Sequence, residues 1–409
     1  MDRRKFLGIA SYAGLSVAAF DGFGRPARAG SRAGYTPLSQ ANRRPLFITV
    51  NARGGWDPTS LCDPKGAASD VEVDAMNWSF RARDIGKTAS GIPYAPLGSA
   101  ERPDYFQRFF EKHDRQLLVI NGVHVGTRGH DDGAAHMWSG RLAGDHPSFT
   151  ALVAAMHGGE APMGYLSFGG HDETLGECAR TRSGDSRRLG GAFNPDRAEP
   201  EDETTGFALG ADGSVIFASR TGAEELDLLR RYLPELDNGD NPLIRQIQVA
   251  MAAYRAGITA AVNLELDGFD THEDHDAGQI PRLCQLLAGL DFIGEEAARQ
   301  DLGDDYVVVA SSEFGRSPGY NASNGKDHWP VTSVLAMGKG IRGGRVIGAT
   351  TERHEALPVD PQTLAPSARG VIIEPAHIHH ALRRLAGIDG HPLAQRYALD
   401  DADDMNLFG

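Results

Sequence analysis

Only three cysteines, Cys62, Cys178 and Cys284, occur in 409 residues. They are too few and too scattered for a disulfide framework or a thiolate zinc cluster. Cys62 and Cys178 could pair in an oxidising compartment, a question the spacing leaves open, and Cys284 lies on the apolar face of a helical pattern and reads as core. Long apolar runs are also missing. The weakly apolar stretch before Phe20 is broken by Gly and Ser and falls short of the ~20 residues a bilayer span needs. No stable membrane span is expected. Basic charge is scarce, with 41 Lys+Arg against 55 Asp+Glu and a formal net charge of −14. That balance argues against nucleic acid or an anionic membrane as partner. There is no G-x-S-x-G elbow, no P-loop, no G-x-G-x-x-G and no internal repeat. Serine-elbow hydrolases, P-loop nucleotidases and dinucleotide enzymes are thereby set aside.

What is present begins with an address. Arg3-Arg4-Lys5-Phe6-Leu7 is a twin-arginine signal, and Ala27-Arg28-Ala29 supplies the small-residue cleavage pattern. Residues 1–29 are therefore expected to be removed and 30–44 to be linker. The partner implied is the twin-arginine export machinery, and the location periplasmic or extracellular. Five Lys/Arg and two Asp/Glu leave with the signal, taking the net charge from −14 to −17. The remaining chain suits one large α/β domain at 45–390 with a polar insertion around 170–220, followed by an acidic tail at 391–409.

Buried strands are predicted at 46–50, 116–123, 259–266, 306–311 and 331–337, each a short run rich in β-branched residues and bounded by turn residues. Helices are predicted at 105–113, from a Ser148 cap to His157, at 223–233 and 243–255, through Ile280–Ile293 by apolar spacing, and at 377–388. The strand–helix–strand unit at 259–311 favours parallel pairing and a right-handed crossover. The fold class is thus α/β, and ligands of such sheets sit beyond the carboxyl ends of the strands.

Four clusters share that placement: Asp57; His130 with Asp131, Asp132 and His136; Asp270 with His272 and His275; and Glu313 with Asp327 and His328. Imidazole and carboxylate together point to a divalent metal, zinc first, with manganese or iron as alternatives; calcium or magnesium would want oxygen ligands almost alone. Taken singly, Asp57 and His136 read as loop hydrogen-bonders. His377, His379 and His380 cannot share one helix face, so most of them are expected at the surface. His113, His146, His157, His171, His354 and His391 carry no assigned role.

Several segments occur in a familiar order: Arg3-Arg4-Lys5-Phe6-Leu7, Arg53-Gly54-Gly55-Trp56-Asp57, Phe269-Asp270-Thr271-His272, Ser312-Glu313-Phe314-Gly315-Arg316-Ser317-Pro318 and Gly325-Lys326-Asp327-His328. Together they resemble the exported bacterial family called domain of unknown function 1501. That family is similar to the alkaline phosphatase and sulfatase superfamily, which implies a three-layer α/β/α sandwich with a mostly parallel sheet and two metals at the strand ends. The resemblance implies a principal metal on Asp270, His272 or His275, and His328. A weaker second position would use Asp57 and Glu313, because Phe314 stands where an imidazole ligand belongs. It implies a metal-dependent hydrolase acting on an anionic small-molecule or glycan ester of phosphate or sulfate. Arg316 would neutralise the anion, and His130 or Asp131 would act as base or stand-in nucleophile. A catalytically inactive metal-binding envelope protein of the same fold is the alternative.

Overall fold

Strands form where β-branched and apolar residues run unbroken, because strands buried on both faces have no polar side to alternate with. The computed structural model describes residues 44–69, 74–159, 161–182, 206–209, 215–218, 229, 231–237, 239–399 and 402–409. The export signal, most of the linker and much of the polar insertion, including most of the helix expected at 223–233, lie outside the described residues. In chain order the strands are β1 (Leu46–Arg53), β2 (Gly86–Lys87), β3 (Pro93–Tyr94), β4 (Leu118–His124), β5 (Tyr165–Ser167), β6 (Arg180–Arg182), β7 (Gly206–Leu209), β8 (Val215–Ala218), β9 (Ala261–Asp267), β10 (Tyr306–Ser311), β11 (Gly315–Arg316), β12 (His328–Trp329), β13 (Val331–Gly338) and β14 (Arg345–Ile347). The helices are α1 (Tyr105–His113), α2 (His130–Ser139), α3 (Phe149–His157), α4 (Pro242–Arg255), α5 (His275–Arg299), α6 (Pro375–Leu385) and α7 (Pro392–Arg396).

Residues 49–149, 265–291 and 306–409 form the larger of two compact units. Its strands follow the order β14–β4–β13–β10–β1, with the end of β9 next. β14 runs parallel to β4, whereas β13 is antiparallel to both β4 and β10. Every residue of β10 and the first seven of β1 and of β13 are buried. The strands at 259–266 and 306–311 therefore do not pair with each other; β1 lies between them in the strand order. α1 buries Phe106, Phe109, Phe110 and His113 on one face. α2 stops at Gly140, whose φ of 79° is left-handed backbone that a side chain disfavours.

One expectation is corrected in this unit. His377 and His379 are buried, 6% and 1% exposed, not at the surface. His377 closes a capping box with Glu374, and the Nε2 of His379 bonds the carbonyl of Met137. In the acidic tail, Met405, Leu407 and Phe408 are buried, and the backbone N–H of Arg342 donates to the Phe408 carbonyl. Apolar residues at its end outweigh its charge.

The smaller unit holds residues 44–48, 150–264 and 292–305. There the start of β9 pairs in parallel with β5, and β5 in parallel with β6. Asn241 caps α4 by accepting from the Leu243 N–H, with Pro242 at the first helical position. Asp172 takes ion pairs from Arg180 and Arg182, which holds the visible part of the insertion. The three cysteines are free thiols; burial raises the Cys62 thiol above its ordinary pKa and pushes Cys178 up to about 12.

Candidate metal centre

The site is assembled in the larger unit at the ends of its strands. Asp270 and His272 follow β9, His130 opens α2 after β4, and His328 forms β12 just before β13. The Nε2 of His328 lies 3.1 Å from Asp270 Oδ1 and 2.9 Å from His272 Nε2. His272 Nε2 is itself 3.1 Å from Asp270 Oδ1, and His130 Nε2 is 3.4 Å from Asp270 Oδ2. His130, Asp270 and His328 thus bring ligand atoms within 4.8 Å of one another, with His272 beside them.

The other ring nitrogens explain why this set fits a cation. His328 Nδ1 is 2.7 Å from the carbonyl of Arg128, which can only accept, so the proton sits on Nδ1. His130 Nδ1 donates to Glu313 Oε1 at 2.8 Å, and His272 Nδ1 faces Asp327 Oδ1 at 3.3 Å. Each Nε2 therefore turns a lone pair toward Asp270. Two such lone pairs 2.9 Å apart repel unless a cation or a shared proton lies between them. Tetrahedral zinc with bonds of 2.0–2.1 Å sets its ligand atoms about 3.3 Å apart, close to the separations seen here. The residues fit a divalent metal, with imidazoles oriented through their second nitrogen in the manner metal-bound histidines adopt.

Charge is arranged to the same end. Burial raises the Asp270 carboxyl, but the hydrogen bond and the positive charge of Arg316 overrule it and bring the pKa down to about 2. The bond to Glu313 pushes His130 up, whereas burial pulls His328 down. Asp270 and His272 are nearly half exposed, so solvent reaches one side of the cluster.

The E-F-G-R segment supports this centre from beneath. Glu313, 2% exposed, accepts from the Gly54 N–H at 2.8 Å and from Ser312 Oγ at 3.0 Å as well as from His130. Phe314 is fully buried, with its ring 4.2 Å from His328 and 4.9 Å from His130, centre to centre. Arg316, also fully buried, donates to the carbonyls of Gly54, Gly55 and Lys326 and to Asp270 Oδ1 at 2.7 Å. The tight turn of Arg53-Gly54-Gly55 makes this possible. Gly54 has φ of 116°, and a Cβ there would strike the backbone of Asp270. Trp56 anchors the turn through its N–H to Ser312 Oγ and its indole to Thr332 Oγ1.

Asp57 and His275 stand in a different cluster. Asp57 is fully buried and caps the 3-10 turn Pro58–Ser60, accepting from Thr59 N–H at 2.9 Å and Thr59 Oγ1 at 2.6 Å. Its Oδ2 faces His275 Nε2 at 3.0 Å and the ammonium of Lys326 at 2.6 Å. Burial pushes the Asp57 carboxyl up, yet Lys326 and His275 hold it well below the usual carboxylate range. Asp131 lies exposed on the first turn of α2. Lys326 is the residue the sequence reading passed over. It was visible between Gly325 and Asp327, but a lone lysine gives no sign of being buried.

Residues 221–398 match the family described as "Protein of unknown function (DUF1501)", the family that the sequence motifs resemble. No curated protein matches the chain. Among solved structures, the chain is similar to Ps i-CgsB in complex with k-i-k-neocarrahexaose at 10% identity and a TM-score of 0.41, covering 90% of this chain and 76% of that one. It is similar to the lipoteichoic acid synthase LtaP from Listeria monocytogenes at 9% identity and a TM-score of 0.38, covering 98% and 80%. It is also similar to TAB5 alkaline phosphatase at 10% identity and a TM-score of 0.39, covering 84% and 99%.

Proposed function

We propose that this chain, which carries a DUF1501 segment at 221–398, is an exported hydrolase of phosphate or sulfate esters with one metal centre. One observation carries the reading: His130, Asp270 and His328 bring ligand atoms within 4.8 Å of one another, His272 Nε2 lies 2.9 Å from His328 Nε2, and the Nδ1 of each ring is held by an oxygen. Asp270, His272, His328 and His130 would hold the ion, zinc first by its donor set. Bound there, a divalent ion polarises a phosphoryl or sulfuryl oxygen and lowers the pKa of its water.

The protein's own part is orientation and charge. Arg316 locks Asp270 and is spent on buried carbonyls, so the task of meeting an anionic ester passes to Arg128. That residue is exposed, its carbonyl accepts from His328, and its guanidinium lies over the Trp329 ring at 5.1 Å. Asp131, exposed one residue after His130, would take a proton from an attacking water. Glu313 fixes the ring of His130 through Nδ1.

A second reading rests on the ligand count. Four protein donors complete a tetrahedral sphere, as in structural zinc sites, whereas catalytic ones leave a position open. On that reading the chain binds an envelope polymer or partner and turns nothing over. A panel of phosphate and sulfate mono- and diesters, assayed on metal-free protein before and after metal is added back, separates the two. Metal-dependent turnover that Asp270→Asn abolishes supports the hydrolase. No turnover across the panel by protein with a full metal complement favours the binding protein.

A further inference from the structure

Outside the metal centre, a buried charged cluster surrounds Lys326. Asp57, His275 and Lys326 are each 0% exposed. All three N–H bonds of the ammonium have an acceptor: Asp57 Oδ2 at 2.6 Å, Asn77 Oδ1 at 2.9 Å and Thr59 Oγ1 at 3.4 Å. The ring of Tyr320 lies 5.0 Å from it. His275 is fixed on its other nitrogen by Thr271 Oγ1 at 2.8 Å. The loop that delivers Lys326 approaches closely because Gly325 has no Cβ; one there would strike the carbonyl of His272. The Lys326 N–H then donates to the Thr271 carbonyl, next to Asp270.

This cluster does not fit the second metal that the family resemblance implies at Asp57 and Glu313. Glu313 is consumed by Gly54, Ser312 and His130. Asp57 faces a cation that the chain already supplies. A carboxylate, an amide oxygen and a hydroxyl around one buried positive charge are the ligand types a hard divalent ion takes. We infer that Asp57, Asn77 and Thr59 form a second cation site whose resident cation is the Lys326 ammonium, so that the wild-type chain is limited to one metal. A tethered ammonium carries one charge in place of two. It cannot exchange with solvent and cannot polarise a substrate oxygen as a Lewis acid does.

This inference deepens the metal-centre reading and can fail separately from it. The test titrates full-length mature protein, stripped of metal, with Mn2+ and counts bound equivalents by equilibrium dialysis and electron paramagnetic resonance. Wild type is expected to take one equivalent, Lys326→Ala two, and Lys326→Ala with Asp57→Asn one. If wild type takes none and Lys326→Ala takes one, the lysine-filled site stands and the metal centre at Asp270 falls. If folded Lys326→Ala binds no more than wild type, or wild type binds two, the inference is overturned. Should Lys326→Ala fail to fold without metal, recovery of the fold on refolding with Mn2+ supports it and no recovery overturns it.

Discussion

Replacing His328 by alanine and Glu313 by glutamine separates a direct donor from the group that orients one. His328 offers Nε2 to the cluster, 3.1 Å from Asp270 and 2.9 Å from His272. Zinc held by four protein ligands is worth about 10–16 kcal/mol, so one donor in four amounts to about 2.5–4 kcal/mol, or a loss of ~100–1,000-fold in affinity. Glu313 never touches the common point; it acts by accepting from His130 Nδ1 at 2.8 Å. Glutamine keeps an oxygen that can accept from both His130 and the Gly54 N–H, and its amide can donate to Ser312 Oγ. The change therefore removes charge while leaving the hydrogen bonds in place. Loss of an outer-shell partner costs about 10–100-fold, and this mild version belongs at the low end, about 10-fold. Metal-free protein is titrated with zinc at pH 7 against a chromophoric chelator, with circular dichroism to confirm the fold. Equal losses in the two variants, a larger loss in Glu313→Gln, or full retention in His328→Ala would refute the assignment of inner and outer ligands.

Arg316→Met should lower stability by about 3–5 kcal/mol in urea unfolding, since it leaves the carbonyls of Gly54, Gly55 and Lys326 and the Asp270 carboxylate without their donor; a loss under about 1 kcal/mol would contradict the buried clamp. Acid should weaken the fold through Asp57. Its carboxyl is depressed in the folded chain from an ordinary value of 3.8, so its contribution is fully present above that pH and disappears as pH falls toward the lower folded value. Metal-free wild type should lose stability over that acid window, and Asp57→Asn with Lys326→Met should lose less of it; parallel curves would reject the ion pair as the cause. Changing Arg3 and Arg4 to lysine should leave unprocessed protein in the cytoplasm, while the exported wild-type form should begin at Gly30. Mass spectrometry of the periplasmic protein checks this, and an N-terminus at Met1 would reject it.

Much of the architecture was legible from residue order alone. The β-branched runs at 306–311 and 331–337 carry their own strand propensity and hydrophobicity, so β10 and β13 appear where expected. The placing of Asp270, His272 and His328 just past strand ends follows from the same local pattern, as does the α/β class. The antiparallel course of β13 and the position of β1 between β9 and β10 did not follow, because pairing partners are chosen by contacts between distant segments. The same holds for the chemistry of the site. Residue type says that Arg316 is a cation and that Asp57 and Glu313 are anions, but not which opposite charge each one meets. Glu313 meets His130 across 183 positions of sequence, and Asp57 meets Lys326 across 269. Burial of a charge is tolerable only when its partner arrives at hydrogen-bonding distance. That pairing exists nowhere in the chain until the strands and the 317–327 loop have folded together. The sequence by itself determined the residue types and the strand ends that carry them. Only the tertiary structure decided that Arg316 stands behind Asp270, that Glu313 stands behind His130, and that a buried lysine meets Asp57.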